Sequence, residues 1–297
     1  MRVLTAAVPE EYDGRPLRHF LRGGMKLSST LLKSLKWREG AILLNGCAVH
    51  VNALTRTGDC VTVTLGERAA GTTPPAALPL EVVWEDEDVL VLNKPAGLAM
   101  HPGSTDPTAP SLAGALVAYL GEGSVPHFVS RLDKGTSGLL LAAKTGYVHE
   151  LLRRALHTQA LHREYRALAV GAPQPPCGRI ELPIGRDTSS LVRRCIDPAG
   201  LPSLTEYETL ETRGTLTLLR LVPHTGRTHQ LRVHMAALGC PLAGDWLYGE
   251  EAPDLIARPA LHSYFLRFSH PLRGEELSFS APLPEDMVRL WQRKCEK

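Results

Sequence analysis

Apolar positions near the N-terminus change period along the chain. In 15–22 they fall at Leu17, Phe20 and Leu21, with Arg15, Arg18 and Arg22 between them. That spacing predicts a short amphipathic helix. In 30–38, Leu31, Leu32 and Leu35 point inward and Lys33, Lys36 and Arg38 outward, after Ser28 or Ser29 as cap. Gly40 stops this helix. The period then drops to two: 41–46 predicts a strand entering an Asn-Gly hairpin turn, and 57–65 an alternating closing strand. These elements define a module over 11–65. Residues 66–79, rich in Ala, Pro, Gly and Thr and without apolar period, predict a semi-extended linker between independent cores.

From residue 80 the pattern is mostly that of strands. Two are predicted at 82–84 and 89–93, around the acidic turn 85–88. A Ser-capped helix follows at 111–120, and a second helix at 147–157 places Leu151, Leu152 and Leu156 on one face. Residues 139–143 carry no polar side chain and predict a buried strand, and 163–171 alternates. Further strands are expected at 179–184, 192–196, 203–212 and 216–221, then a helix at 228–238. Two strand segments, within 258–272 and 277–284, and a helix from about 285 to 291 close the chain.

Composition narrows the function classes. Hydrophobic content of 43% with 22% charged residues is that of a water-soluble globular protein, and no apolar run approaches a membrane span of roughly 20 residues. The start of the chain lacks a signal-peptide core. The six cysteines form no Cys-x-x-Cys pair, which points to reduced thiols in the cytoplasm rather than a disulfide framework or zinc site. Net charge is only +2, but residues 1–65 hold nine Lys or Arg against five Asp or Glu, and residues 81–297 hold 23 against 25. A nucleic-acid partner would be steered first to the N-terminal module.

The candidate chemistry lies in 127–145, where two apolar runs flank the polar turn Ser130-Arg131-Leu132-Asp133-Lys134-Gly135-Thr136-Ser137-Gly138. Gly135 and Gly138 read as turn punctuation. Asp133 would sit at the mouth of a rigid strand pair, with Arg131 on the same face if the strand extends that far. A carboxylate so placed beside a guanidinium suits nucleophilic or general-base work, although an ordinary Asp-x-Gly turn has the same residue types.

The stretch Arg131-Leu-Asp133-x-x-Thr-Ser-Gly138-Leu-Leu-Leu-x-Ala-Lys144 resembles the catalytic motif of the RluA-type pseudouridine synthases. Ser130 stands where that family usually has His. Three more ordered stretches are similar: 93–102 (Asn-Lys-Pro…His-Pro), 163–171 (Arg-x-Tyr-x-Ala-Leu-Ala-Val-Gly) and 226–249 (Gly-Arg-Thr-His-Gln-Leu-Arg-Val-His, then Gly-Asp-Trp-Leu-Tyr-Gly). The N-terminal module resembles the α-L RNA-binding domain. The resemblance implies an α+β protein: a small α-L module over 11–65, a linker over 66–79, and a catalytic domain over 80–297. That domain would be a mixed, mostly antiparallel sheet with flanking helices and a central cleft.

The implied activity is isomerisation of uridine to pseudouridine within structured RNA, ribosomal RNA ahead of transfer RNA, without a cofactor. Asp133 would be the catalytic residue, acting as nucleophile or base. Arg131, Tyr165 and Arg232 would bind substrate: Arg131 propping the site open, Tyr165 stacking on the base, and Arg232 pairing with Asp133. Lys94 and His101 are candidates for touching phosphate, and Lys33, Lys36 and Arg38 for RNA contact by the module. His224, His229, His234 and His262 complete no pattern such as His-Glu-x-x-His, so no metal is expected. A cytoplasmic monomer acting on RNA, without membrane attachment or obligatory protein partner, is the expectation. Two other classes fit less well. A non-catalytic RNA-binding or ribosome-assembly factor would explain Ser130, and a glycosidase would need a second carboxylate about 5–10 Å from the first.

Overall fold

The structure is a computed structural model that describes residues 2–65, 73–103, 106–156, 158, 160–251 and 256–293. The first lobe holds strands β1 (Arg2–Ala7), β2 (Ile42–Leu44), β3 (Cys47–Ala48) and β4 (Cys60–Leu65) in the antiparallel order β1-β4-β2-β3. Helices α1 (Leu17–Gly23) and α2 (Ser29–Leu35) cover it. The apolar stripes at 17, 20, 21, 32 and 35 are buried, and Ser28 caps α2 by accepting the Leu31 N–H at 3.2 Å. Asn45 and Gly46 both take positive φ, 51° and 81°, as a two-residue hairpin turn between right-twisted strands requires. The lobe begins at residue 2 rather than 11. The strand β1 pairs with β4 from Arg2↔Leu65 to Ala7↔Cys60, but it is an edge strand whose inner positions are only half buried, so its apolar signal is weak.

The second lobe contains β5 (Val82–Glu85), β6 (Val89–Lys94), α3 (Leu112–Leu120), β7 (His127–Phe128), β8 (Ser137–Ala143), α4 (Gly146–Ala155) and β9 (Leu161–Val170). It continues with β10 (Cys177–Ile180), β11 (Ile184–Arg186), β12 (Arg194–Ile196), β13 (Thr205–Arg213), β14 (Leu216–Pro223) and α5 (Gln230–Ala237). Strands β15 (Leu261–Ser269) and β16 (Glu276–Ser280) and helix α6 (Glu285–Arg293) complete it. Ten strands form one sheet, ordered β10-β13-β14-β9-β15-β8-β6-β5, with β16 beside β15 and β7 beside β8. Every pairing is antiparallel except β8 with β15. The run expected as one strand over 179–184 splits at Pro183, and β11 pairs with β12 as a separate hairpin.

Both faces of the central strands are buried, which is why 89–92 and 139–143 read as unbroken apolar runs. Val89, Val91, Leu139 and Leu141 pack toward α4 and the first lobe; Leu90, Leu92, Leu140 and Ala142 pack toward α3 and α5. Gly138 lies in β8 and not in the turn. Its φ is 109°, and a Cβ there would stand 2.3 Å from the Ser263 carbonyl oxygen, so the parallel pairing with β15 requires glycine.

The lobes are in contact. One buried cluster joins Leu17, Leu27 and Val61 to Tyr147, Val148 and Leu152, and the Tyr147 hydroxyl donates to the Met25 carbonyl at 2.9 Å. The expectation of two independent cores therefore gives way to a shared one. Of the expected linker, 66–72 lies outside the described residues. Residues 73–79 run along α3, where Ala76 N–H donates to Gly114 O at 2.9 Å; this is a packed segment and not a free tether.

Candidate active cleft

The loop 129–136, entering β8, forms one wall of a cavity of about 670 Å³; β9, the 223–229 loop and α5 form others. The Asp133 carbonyl accepts the Thr136 N–H at 3.0 Å, so Asp133 opens a tight turn. Two buried cations hold that turn from behind. Lys94, 1% exposed, donates to Pro95 O at 2.9 Å, Leu98 O at 2.8 Å and Lys134 O at 3.3 Å. Arg258 donates to Gly135 O at 3.1 Å and is clamped on Asp286 at 2.6 and 2.8 Å. Lys94 is thus spent on carbonyls and is not free for phosphate. Burial pushes its ammonium down to about 8, with Arg258 adding and Asp133 opposing.

The Asp133 side chain is 27% exposed, and its Oδ2 lies 3.8 Å from Arg232 Nη1. Arg232 does meet Asp133 across a hundred residues of sequence, but its main partner is Asp245. Nε and Nη2 donate to the two Asp245 oxygens at 2.7 and 2.6 Å, and Asp245 is fully buried. This two-pronged pair fixes the guanidinium plane and leaves Nη1 turned to Asp133. The Tyr248 ring lies 5.0 Å from the same guanidinium.

Helix α5 begins at Gln230 rather than Thr228, because His229 takes the left-handed φ of 59°. The Tyr248 hydroxyl accepts the Arg194 N–H at 2.8 Å and hydrogen-bonds His229 Nδ1, also at 2.8 Å. Burial pushes the His229 imidazole below its usual range. Gln230 steadies the loop before it, accepting from Thr225 Oγ1 at 2.7 Å and Arg227 N–H at 3.1 Å.

Tyr165, on β9 opposite Ser263 of β15, is 5% exposed and lines the cleft. Burial raises its phenol, which also hydrogen-bonds Ser263. Arg131 lines the cleft and is exposed; the strand ends at Phe128, so the loop and not a strand face places it beside Asp133. The structure thus brings Arg131, Asp133, Tyr165 and Arg232 into one cavity. Lys33, Lys36 and Arg38 are on the first lobe, outside that cavity: Lys33 and Lys36 are exposed, and Lys36 lies 5.3 Å from the Trp37 ring.

Asp245, Tyr248 and Arg258 were not among the candidates. Asp245 and Tyr248 stand in the 226–249 match, and Arg258 opens the 258–272 stretch that resembles the family's closing strands, so a signal was present for all three. His234 hydrogen-bonds Thr205 and Leu182 O, and His262 hydrogen-bonds Ser137 and Ala281 O, as parts of the framework. Among the described residues, Asp86, Asp88 and His270 are close enough to share a cation. But His270 Nδ1 accepts the Leu272 and Arg273 N–H groups at 3.3 and 3.1 Å. Its proton is therefore on Nε2, 3.0 Å from Asp86, where a metal would need a lone pair.

A family model described as RNA pseudouridylate synthase matches residues 88–237, about half of the chain. The chain is 37% identical over 271 residues to an uncharacterised RNA pseudouridine synthase, YjbO, of Bacillus subtilis, covering 90% of this chain and 95% of that one. It is 41% identical over 228 residues to the ribosomal large subunit pseudouridine synthase D of Vibrio parahaemolyticus, covering 72% and 70%. Among solved structures, human RNA pseudouridylate synthase domain containing 1 superposes with a TM-score of 0.57 at 28% identity, over 75% of this chain and 98% of that one. The chain belongs to the RNA pseudouridine synthase family and is an enzyme of the RluA type.

Proposed function

We propose that this enzyme converts uridine to pseudouridine in ribosomal RNA, with Asp133 as its catalytic carboxylate and no cofactor or metal. One observation carries the reading. Among the described residues lining the cleft, Asp133 is the one carboxylate, in company with Arg131, Lys134, Arg153, Arg163, Arg227 and Arg232. A single acid among six cations suits a polyanionic substrate and a reaction driven by one carboxylate. A glycosidase would need a second acid in the same cavity.

The reaction is an isomerisation. The bond from ribose C1′ to uracil N1 breaks, the base turns, C1′ bonds to C5, C5 loses a proton and N1 gains one. Asp133 acts on the ribose, as nucleophile at C1′ or as base on the neighbouring proton. Arg232, locked on Asp245, keeps that carboxylate aimed. The target nucleotide is flipped out of its stack, Arg131 props the site open from its exposed position, and the Tyr165 ring is the wall on which uracil rests. The first lobe is read as an α-L RNA-binding domain whose Lys33, Lys36 and Arg38 contact RNA. The enzyme is taken to act as a cytoplasmic monomer. Ribosomal RNA is favoured over transfer RNA because the large-subunit synthase of Vibrio parahaemolyticus is so similar.

Asp133→Asn keeps the side-chain shape and removes the charge. It should lower pseudouridine formation by at least ~10² while RNA affinity stays within a few fold. Residual turnover within about tenfold of the parent would rule Asp133 out as the catalytic group. Chemical mapping of pseudouridines in cells with and without the protein identifies the RNA; a site in transfer RNA alone would overturn the ribosomal assignment.

A further inference from the structure

A second cavity, of about 680 Å³, lies between the lobes. Arg15, Arg18, His19 and Arg22 line one side of it, and Glu150 and Arg154 of α4 the other. Arg18, His19 and Arg22 share the face of α1 opposite the buried Leu17, Phe20 and Leu21, and Arg15 stands just before the helix. Arg15 and Arg22 make no ion pair among the described residues, and Arg18 binds the uncharged side-chain oxygen of Asn52. Among the described residues Glu150 is the groove's one lining acid, against four arginines.

Helix α4 is the ridge between this groove and the target cleft. His149 and Arg153 line the cleft, whereas Glu150 and Arg154 line the groove. One Glu150 carboxylate ties both arginines, to Arg153 at 2.9 and 3.1 Å and to Arg154 at 3.1 Å. The elements that carry the two walls are pinned together, because Tyr147 of α4 hydrogen-bonds the Met25 carbonyl just beyond α1. The groove is therefore a built feature of the docked lobes and not a gap left by a loose tether.

We propose that the strand flanking the target uridine crosses α4 and lays its phosphates in this interlobe groove, gripped by Arg15, Arg18 and Arg22 from one lobe and Arg154 from the other. The inference rests on RNA being the substrate and adds where its second segment binds. Guanidinium forks suit phosphate oxygens. Arg15, Arg18 and Arg22 are solvated and have no acidic partner among the described residues, so they reach a polyanion with little desolvation cost, whereas Arg154 shares the Glu150 carboxylate with Arg153. The site would read backbone and not base sequence.

The test is fluorescence anisotropy of the full-length protein with a uridine hairpin, with and without a single-stranded extension. Arg22→Glu and Arg154→Glu should each weaken binding of the extended RNA by about tenfold and lower its salt slope by roughly one. The unextended hairpin should bind both variants within about twofold of the parent, as should both RNAs with Arg289→Glu, an equal charge change on α6. Arg22→Gln, checked by thermal melting, serves if the glutamate variants fold poorly. Equal losses for the two RNAs, or a loss no greater than that of Arg289→Glu, would overturn the proposal. A loss for Arg22→Glu but none for Arg154→Glu would overturn the shared groove. The readout needs no turnover, so a dead Asp133 assignment and a dead groove are told apart.

Discussion

The two buried arginines beside the Asp133 turn and the arginines of the interlobe groove have the same chemistry in opposite settings. Arg232 and Arg258 are buried, each held by a two-pronged carboxylate partner, Asp245 and Asp286. Arg15 and Arg22 are solvated and make no ion pair among the described residues. The first kind is costly to disturb and supplies a fixed direction. The second costs the fold almost nothing and supplies attraction that salt weakens. Position within the fold, and not residue type, separates a charge fixed against one carboxylate from a charge left open to solvent.

The sharpest way to break this contrast is Asp245→Ala. It leaves the Arg232 guanidinium buried with Asp133 as its one ion-pair partner among the described residues, and removing one partner of such a pair should cost about 3–5 kcal/mol in chemical unfolding. Turnover should fall as well, because the freed guanidinium can collapse onto Asp133. A cost below about 1 kcal/mol would place the pair with ordinary surface bridges. Arg232→Lys should recover only part of the parent's activity, since an ammonium lacks the planar fork.

Acid stability tests the framework around the cleft. Burial first, opposed by a bond to Ala281 O, brings His262 from 6.5 down to about 4. A histidine with a depressed folded pKa is protonated first in the unfolded chain. Stability is therefore full above pH 6.5 and declines as pH falls toward 4, by about 3 kcal/mol if the whole shift is realised. His262→Gln should flatten that part of the curve, read from unfolding midpoints against pH. An equally steep decline in the variant would point elsewhere.

Between the lobes, Tyr147→Phe deletes the bond to the Met25 carbonyl and leaves its acceptor without that donor. A loss of about 1 kcal/mol is expected. No loss would return the lobes to the loose arrangement that the linker composition suggested. Smallest in stability is Lys33→Ala with Lys36→Ala, where less than about 0.5 kcal/mol should change. If these lysines touch RNA, the slope of log affinity against log salt should fall by about 1–2. An unchanged slope would leave the module's RNA contacts to the groove face.

Legibility followed locality. The helix stripes at 17, 20, 21 and at 32, 35, the caps at Ser28 and Ser111, and the Asn45-Gly46 turn depend on neighbours within a few residues, and they stand as read. The unbroken apolar runs announced two-sided burial. The ordered motifs single out Arg131, Asp133, Tyr165 and Arg232, and the fold brings these four into one cavity. Pro183 splitting a strand and Gly138 lying inside one were misread, because each answers to a partner strand distant in sequence.

The sequence by itself determined the helices, most strands, the family and the site's cast, since periodicity, capping and motif order are written in short stretches. Tertiary structure alone decided how the charges are used. Lys94 faces three carbonyls instead of a phosphate, Arg232 is held by Asp245 before it reaches Asp133, and α1 and α4 meet to make a basic groove. Each of these depends on which distant groups share a buried or walled space. A charge's desolvation and its partner set its role, and neither is a property of the residue or of its neighbours in the chain.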